Sequence, residues 1–148
     1  MSERIPQLEL DNQLCFALYD ASRAVVRAYG PLLDELGLTY PQYITMLVLW
    51  ETDGPVSMGE LGTRLHLDSG TLTPLVKRLV QLGVVERERD PTDERRVLIS
   101  LTADGVALRQ RACSVPEQIF ERFGLGIEPA RALLENLRHL VGHIDQNP

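Results

Sequence analysis

The sequence predicts a mainly α-helical protein with a small β-hairpin wing: a winged helix-turn-helix with dimerisation helices at both ends. Three observations carry this. Between Ser57 and Gly83, two short amphipathic segments, each with its own N-cap, are separated by a two-residue turn. From Val84 to Leu101 the apolar period drops from 3.6 to 2 around a charged, turn-forming tip. Longer helical segments with an apolar stripe lie before and after that module.

Leu14, Leu18, Ala21, Val25 and Tyr29 stand at helical spacing over about residues 10–29, and Gly30-Pro31 is expected to break that helix. Leu32, Leu33 and Leu36 continue a short helical piece that stops at Gly37. Thr39, with Gln42 three residues on, reads as a capping box, because each side chain can satisfy a backbone N–H of the other. The helix it opens carries Ile44, Leu47 and Val48 and ends before Asp53-Gly54-Pro55. Ser57 and Glu60 repeat the box and open a short helix with Leu61 and Leu65.

His66-Leu67 leaves room only for a turn. Asp68 or Ser69 caps the next helix, with apolar positions Leu72, Leu75, Leu79 and Leu82, a left-handed stop at Gly83, and Pro74 costing one backbone bond. Two short helices about a tight turn make the helix-turn-helix. Val84 to Arg89, dense turn signals at Asp90-Pro91-Thr92-Asp93-Glu94, and β-forming Val97–Leu101 make a hairpin directly behind it. Thr102 caps one long helix running toward Phe123. After Gly124-Leu125-Gly126, a last helix from about Glu128-Pro129 carries Leu133, Leu134, Leu137, Leu140, Val141 and Ile144.

The 148 residues fit a single domain over 1–148, with the winged module at about 38–101 and dimerisation helices at about 8–36 and 102–146. A 44% hydrophobic content excludes general disorder. Met1 to Asn12 holds Glu3, Arg4, Glu9 and Asp11 and no apolar run, and the apolar stretch at Ile44–Trp50 is far too short to span a bilayer. Neither a signal peptide nor a membrane contact is expected, and the cytoplasm is. Cys15 and Cys113 make no metal-ligand spacing, and His139 and His143, four apart, have no evident third ligand, so neither metal nor cofactor is expected. Gly54, Gly59 and Gly62 precede no Gly-Lys-Ser/Thr and make no phosphate loop.

The net charge of −6 argues against a nucleic-acid partner for the chain as a whole, but a local basic face decides that question. The helix after the turn offers Ser69, Thr71, Thr73, Lys77 and Arg78, with Gly70 and Pro74 in the same segment. Hydroxyls at a helix start donate to phosphates or base edges, and the helix N-terminus itself favours a phosphate. The hairpin adds Arg87, Arg89, Arg95 and Arg96, and an arginine at a hairpin tip suits a narrow minor groove. Solvated helix faces also carry such residues; the order of helix, turn, Ser/Thr-rich helix and charged hairpin is what favours DNA.

Leu10–Phe16, Leu38–Tyr43, Leu67–Pro74 and Asp93-Glu94-Arg95 closely resemble the MarR family, and within it the organic-hydroperoxide sensor branch, OhrR. The resemblance runs from about Leu8 to Leu101-Thr102 and weakens through the C-terminal helices. It implies a MarR-type domain, a homodimer, and binding to double-stranded pseudo-palindromic operator DNA. The helix matching Ser69–Lys77 would enter the major groove and Arg95 the minor groove, with Asp93 pairing Arg95 to support the wing. It also implies a non-enzymatic repressor, released when an organic hydroperoxide, alkyl or lipid, oxidises Cys15.

A cysteine near the start of an amphipathic helix is commonly a small buried hydrophobe. A sensor instead needs a thiolate and neutral donors that stabilise it. The resemblance supplies Tyr29 and Tyr40, reaching Cys15 from the partner subunit. Cys113 is the other open point: a possible resolving cysteine, or a bystander while a low-molecular-weight thiol caps Cys15. Resolving cysteines of the branch align nearer Phe120 or Glu121, seven helical residues or roughly 10 Å away, which favours the small thiol. Two competing readings are a thiol peroxidase and a repressor released by a small phenolic ligand.

Overall fold

The computed structural model describes residues 3–148; Met1 and Ser2, the start of the segment read as holding no signal peptide, lie outside the described residues. The chain divides into two compact units, Met1–Cys113 and Ser114–Pro148. The first unit therefore joins the N-terminal helix and the helix after the hairpin to the winged module.

Two single 3-10 turns, Pro6–Leu8 and Leu10–Asn12, lead into α1, Leu14–Asp34. Gly30-Pro31 does not break this helix, contrary to the sequence expectation. Proline withholds one N–H, but its fixed φ is compatible with a helix. Burial of Leu33, only 2% exposed, offsets the lost bond and holds the last turn.

In α2, Tyr40–Glu51, the capping box is complete: the Gln42 N–H donates to Thr39 Oγ1 and the Thr39 N–H to Gln42 Oε1. This helix is the centre of the core, burying Tyr43, Met46, Val48, Leu49 and Trp50. Leu47, expected on the core face, is exposed, because a helix this apolar has no single sided stripe to read. A second complete box, Ser57 with Glu60, joins strand β1, Val56–Ser57, to α3, Met58–Leu65. His66 turns the chain at φ 54°, and Asp68 Oδ1 accepts the Thr71 N–H at 2.8 Å to cap α4, Ser69–Gln81.

Leu72, Val76 and Leu79 pin α4 to the core. Leu82 lies past the helix end and is exposed, so Val76 takes its expected place. Gly83 follows at φ 76°, the left-handed stop that a side chain would strain.

β2, Val85–Asp90, and β3, Asp93–Leu101, form the wing, and β1 pairs the far edge of β3 in an antiparallel sheet ordered β1-β3-β2. The turn is only Pro91-Thr92, tighter than the five residues expected, so Asp93 and Glu94 already lie in the strand. Asp90 causes this: its Oδ1 accepts both the Thr92 N–H and the Thr92 hydroxyl, which closes the turn locally.

Thr102 caps α5, Ala103–Ala112, by accepting the Gly105 N–H at 3.1 Å. The α5 backbone comes so close to Val84 that a Cβ on Gly105 would stand 2.0 Å from the Val84 carbonyl oxygen. Trp50 Nε1 donates to the Gly105 carbonyl at 2.9 Å, tying α5 to α2.

The single long helix expected from Thr102 to Phe123 is two helices. α5 ends at Ala112, and the second unit opens with α6, Val115–Phe123. Pro116 has no N–H with which to continue a helical ladder and suits the first turn of a new helix. α7, Ile127–Gln146, follows and buries no residue; Leu133, Leu134, Val141 and Ile144 are all exposed. Among the described residues, no helix is long and apolar enough to cross a membrane.

Candidate nucleic-acid interface and reactive thiol

Burial of Leu72, Val76 and Leu79 turns the opposite side of α4 outward. Gly70, Thr71, Thr73, Pro74, Lys77 and Arg78 are accordingly exposed, and Ser69, in line with Leu72 and Val76, is exposed because it is the first residue of the helix. Gln81, which periodicity alone did not single out, falls on the same face. The Asp68 carboxyl is held below the usual range, chiefly by the backbone N–H of Thr71. Among the described residues the side chains of Lys77 and Arg78 make no ion pair or hydrogen bond.

The wing sorts its charges by strand register. Arg87 lies opposite Ile99 and Arg89 opposite Val97, while Glu86 pairs with Ser100 and Glu88 with Leu98. Cross-strand partners share a face and neighbours alternate. Arg87 and Arg89 therefore share one face of the ladder with Val97 and Ile99, and Glu86 and Glu88 the other, while Glu94, Arg95 and Arg96 fall in the stretch where the register shifts. An alternating sequence thus becomes an arginine face backed by an acidic one. That resolves locally the objection raised by the net charge of −6.

The structure puts the four wing arginines to different uses. Arg89 Nη1 donates to the Glu94 carbonyl at 3.0 Å, across the hairpin. Arg96 Nη1 meets Asp90 Oδ2 at 3.2 Å. The guanidinium groups of Arg87 and Arg95 have no such partner among the described residues. Asp93, for which the resemblance implies a pairing with Arg95, accepts that residue's backbone N–H at 3.1 Å. The buried carboxylate of the wing is instead Asp90, 7% exposed. Its acidity is raised first by the Thr92 hydrogen bonds and further by the Arg96 charge. Sequence reading took Asp90 for a turn residue only; Asp-Pro-Thr, an acceptor two residues before a threonine, was the available signal.

Cys15 is exposed in the first turn of α1 and belongs to no core of the single chain. Tyr29 and Tyr40 are brought together, with ring centroids 4.8 Å apart. Tyr43, which follows Tyr40 by three residues on α2, joins them at 5.6 Å from Tyr29 and leads to Trp50 at 6.4 Å. Burial, reinforced by Tyr40 and Tyr43, pushes the Tyr29 hydroxyl up to about 12. Burial likewise raises Tyr40. Both phenols therefore keep their protons, and stay hydrogen-bond donors, at any pH where a thiol ionises.

These donors do not reach Cys15 within one chain. Cys15 and Tyr29 lie fourteen residues apart on one unbroken helix, roughly 21 Å along its axis. Cys113 is exposed at the end of α5, its Sγ donating to the Gln110 carbonyl at 3.0 Å. Two residues earlier, Arg111 Nη2 donates to the Glu35 carbonyl at 2.5 Å, just past the C-terminal end of α1. The two cysteines thus stand toward opposite ends of a helix about 30 Å long. On α7 the rings of His139 and His143 lie 6.5 Å apart, and no third ligand joins them among the described residues.

Residues 27–111 match the family model described as transcriptional regulator SarA/Rot. The organic hydroperoxide resistance transcriptional regulator of Bacillus subtilis is 48% identical over 119 residues, 80% of each chain. The HTH-type transcriptional regulator TtmR of Methylorubrum extorquens is 52% identical over 128 residues, 86% of this chain and 65% of that one. Among solved structures, AbfR of Staphylococcus epidermidis, reduced and bound to DNA, is 38% identical with a TM-score of 0.76, covering 93% of this chain and 96% of that one. AbfR has also been solved in a disulfide-formed state, 39% identical with a TM-score of 0.63, covering 91% and 94%. The chain belongs to the MarR-type transcriptional regulators, in the branch of the organic hydroperoxide resistance regulators.

Proposed function

We propose that this regulator is a cytoplasmic homodimeric repressor that grips pseudo-palindromic operator DNA with α4 and the wing, and releases it when an organic hydroperoxide oxidises Cys15. The carrying observation is the separation on α1: an exposed thiol at one end and protonated phenol donors at the other. A second copy whose α1 runs antiparallel brings its Tyr29 and Tyr40 onto Cys15. Exposed apolar residues on α1 (Leu14, Phe16, Val26) and on α7 (Leu133, Leu134, Val141, Ile144) are the surfaces such a dimer would cover.

The first step needs only Cys15 and the peroxide, and the second a low-molecular-weight thiol. The Cys15 thiolate attacks one peroxide oxygen and the O–O bond breaks. The sulfur is oxidised by two electrons to sulfenic acid, and the alcohol leaves with the proton that the thiol gave up. A low-molecular-weight thiol then displaces water to give a mixed disulfide. Apolar neighbours such as Leu14 and Phe16 favour an alkyl or lipid peroxide. Consumption is stoichiometric, which distinguishes a sensor from a peroxidase. A gel shift with the wild-type dimer tests this: release by one equivalent of alkyl hydroperoxide supports it, and retention defeats it.

Tyr29→Phe and Tyr40→Phe should each slow alkylation of Cys15 near neutral pH. A hydrogen bond to a charged acceptor is worth roughly 1.5–3 kcal/mol, so the thiolate fraction should fall by about tenfold or more. Iodoacetamide rates measured against pH check it, and unchanged curves in both variants would remove the tyrosines from the sensor.

The distance along α1 excludes a disulfide between Cys15 and Cys113 of the same chain without a large rearrangement. Non-reducing electrophoresis after one equivalent of alkyl hydroperoxide and a small thiol should show monomer-sized chains only. A covalent dimer absent from both Cys15→Ser and Cys113→Ser would make Cys113 the resolving residue.

A further inference from the structure

We propose that Asp90 is the positioning residue of the wing: one carboxylate oxygen closes the hairpin turn, the other holds Arg96, and Arg95 is thereby left free at the tip. The proposal rests on the reading of the wing as a DNA contact.

Aspartate at a hairpin tip is ordinarily solvated, and it is buried only when paired. Asp90 is the only carboxylate among the buried polar residues of the described chain. Its Oδ1 takes the Thr92 N–H at 2.8 Å and the Thr92 hydroxyl at 2.7 Å, while Oδ2 takes Arg96 at 3.2 Å. Both carboxylate oxygens are thus engaged within the hairpin. The strand register shifts between Arg89 and Asp90, so the clamp sits where the two strands are brought into step. Arg95 follows Asp90 by five residues and neighbours Arg96 on the same strand. Arg96 is taken up by Asp90 Oδ2, whereas the Arg95 guanidinium has no partner among the described residues. Fixing Arg96 fixes where Arg95 emerges.

The sign of one substitution separates positioning from simple charge. Removing an acid beside a polyanion should tighten binding if Asp90 acts only through its charge. Acting through Arg95, Asp90→Ala should instead bind about tenfold more weakly and lower the slope of log K against log salt by about one, as Arg95→Ala does. The double variant should be no weaker than Arg95→Ala alone. Asp90→Asn keeps an acceptor for Thr92 but gives up the ion pair with Arg96, and should fall between.

The probe is a duplex selected by the wild-type dimer from a random-sequence pool, with Trp50 fluorescence reporting that the core stays folded. Tighter or unchanged binding of Asp90→Ala, or additive losses in the double variant, would overturn the proposal. Hydrogen exchange at the Thr92–Arg95 amides, measured without DNA, keeps the two readings apart. Faster exchange in Asp90→Ala when the wild type selects no duplex defeats the DNA reading and keeps the clamp. Unchanged exchange defeats the clamp whatever the DNA result.

Discussion

Cys15→Ser should bind the operator as the wild type does and stay bound at every concentration of alkyl hydroperoxide. The residue lies on the first turn of α1, on neither α4 nor the wing, so replacing sulfur with oxygen removes no DNA contact. A serine hydroxyl does not ionise near neutral pH and does not attack a peroxide bond. Allosteric coupling between two sites is typically about 1–3 kcal/mol, or about 5–150-fold in affinity, and the whole of it should vanish. Fluorescence anisotropy with labelled duplex, with and without cumene hydroperoxide, reads it directly. A Cys15→Ser protein still released by peroxide would end the sensor assignment.

Gly105→Ala should be the most destabilising single-methyl change in the first unit. The added Cβ would stand 2.0 Å from the Val84 carbonyl oxygen, a backbone atom that cannot swing aside. Relief requires moving α5 away from the start of the wing, and that motion also pulls the Gly105 carbonyl from Trp50 Nε1. Overpacking costs about 1–3 kcal/mol and the buried hydrogen bond about 1 kcal/mol more. Together these come to about 3 kcal/mol, or a fall in Tm of roughly 6–12 °C for a chain of this size. Trp50→Phe removes the bond without the clash and should lose less. Calorimetry giving Gly105→Ala a wild-type Tm would show that α5 does not seat on Val84 in solution.

The elements that could be read in the sequence are those whose cause is local. Thr39 with Gln42, Ser57 with Glu60, and Asp68 each satisfy a helix terminus from within four residues, and all three caps form. The misread elements depend on residues far away or on competition between signals. Pro31 looks like a breaker until Leu33 is seen to be buried. Leu82 fits the apolar period of α4 but lies beyond its end, just before Gly83 turns the chain. The break before α6 falls at Ser114-Val115-Pro116, a stop signal that the helical period on either side overrides when the sequence is read alone.

The candidate site follows the same division. Cys15, Tyr29 and Tyr40 came from motif resemblance, whereas Tyr43 and Asp90 appear only once rings and strands are placed. That Asp90 takes up Arg96 and leaves Arg95 without a partner needs the hairpin folded, because the ion pair joins two strands.

Four arginines on the wing, Arg87, Arg89, Arg95 and Arg96, face five carboxylates, Glu86, Glu88, Asp90, Asp93 and Glu94. As a monopole the hairpin is therefore slightly negative, and its attraction for a polyanion resides in its dipole. A dipole's field decays faster with distance than a monopole's, and physiological salt screens both beyond about 8 Å. Long-range capture by an anionic duplex is thus weak, and most approaches in the wrong orientation are turned away. The same hairpin, once rotated arginine side inward, attracts at short range. On the proposed reading, such a wing would trade speed of encounter for freedom from random stretches of nucleic acid, leaving the proposed dimer to find the few sites where α4 also fits.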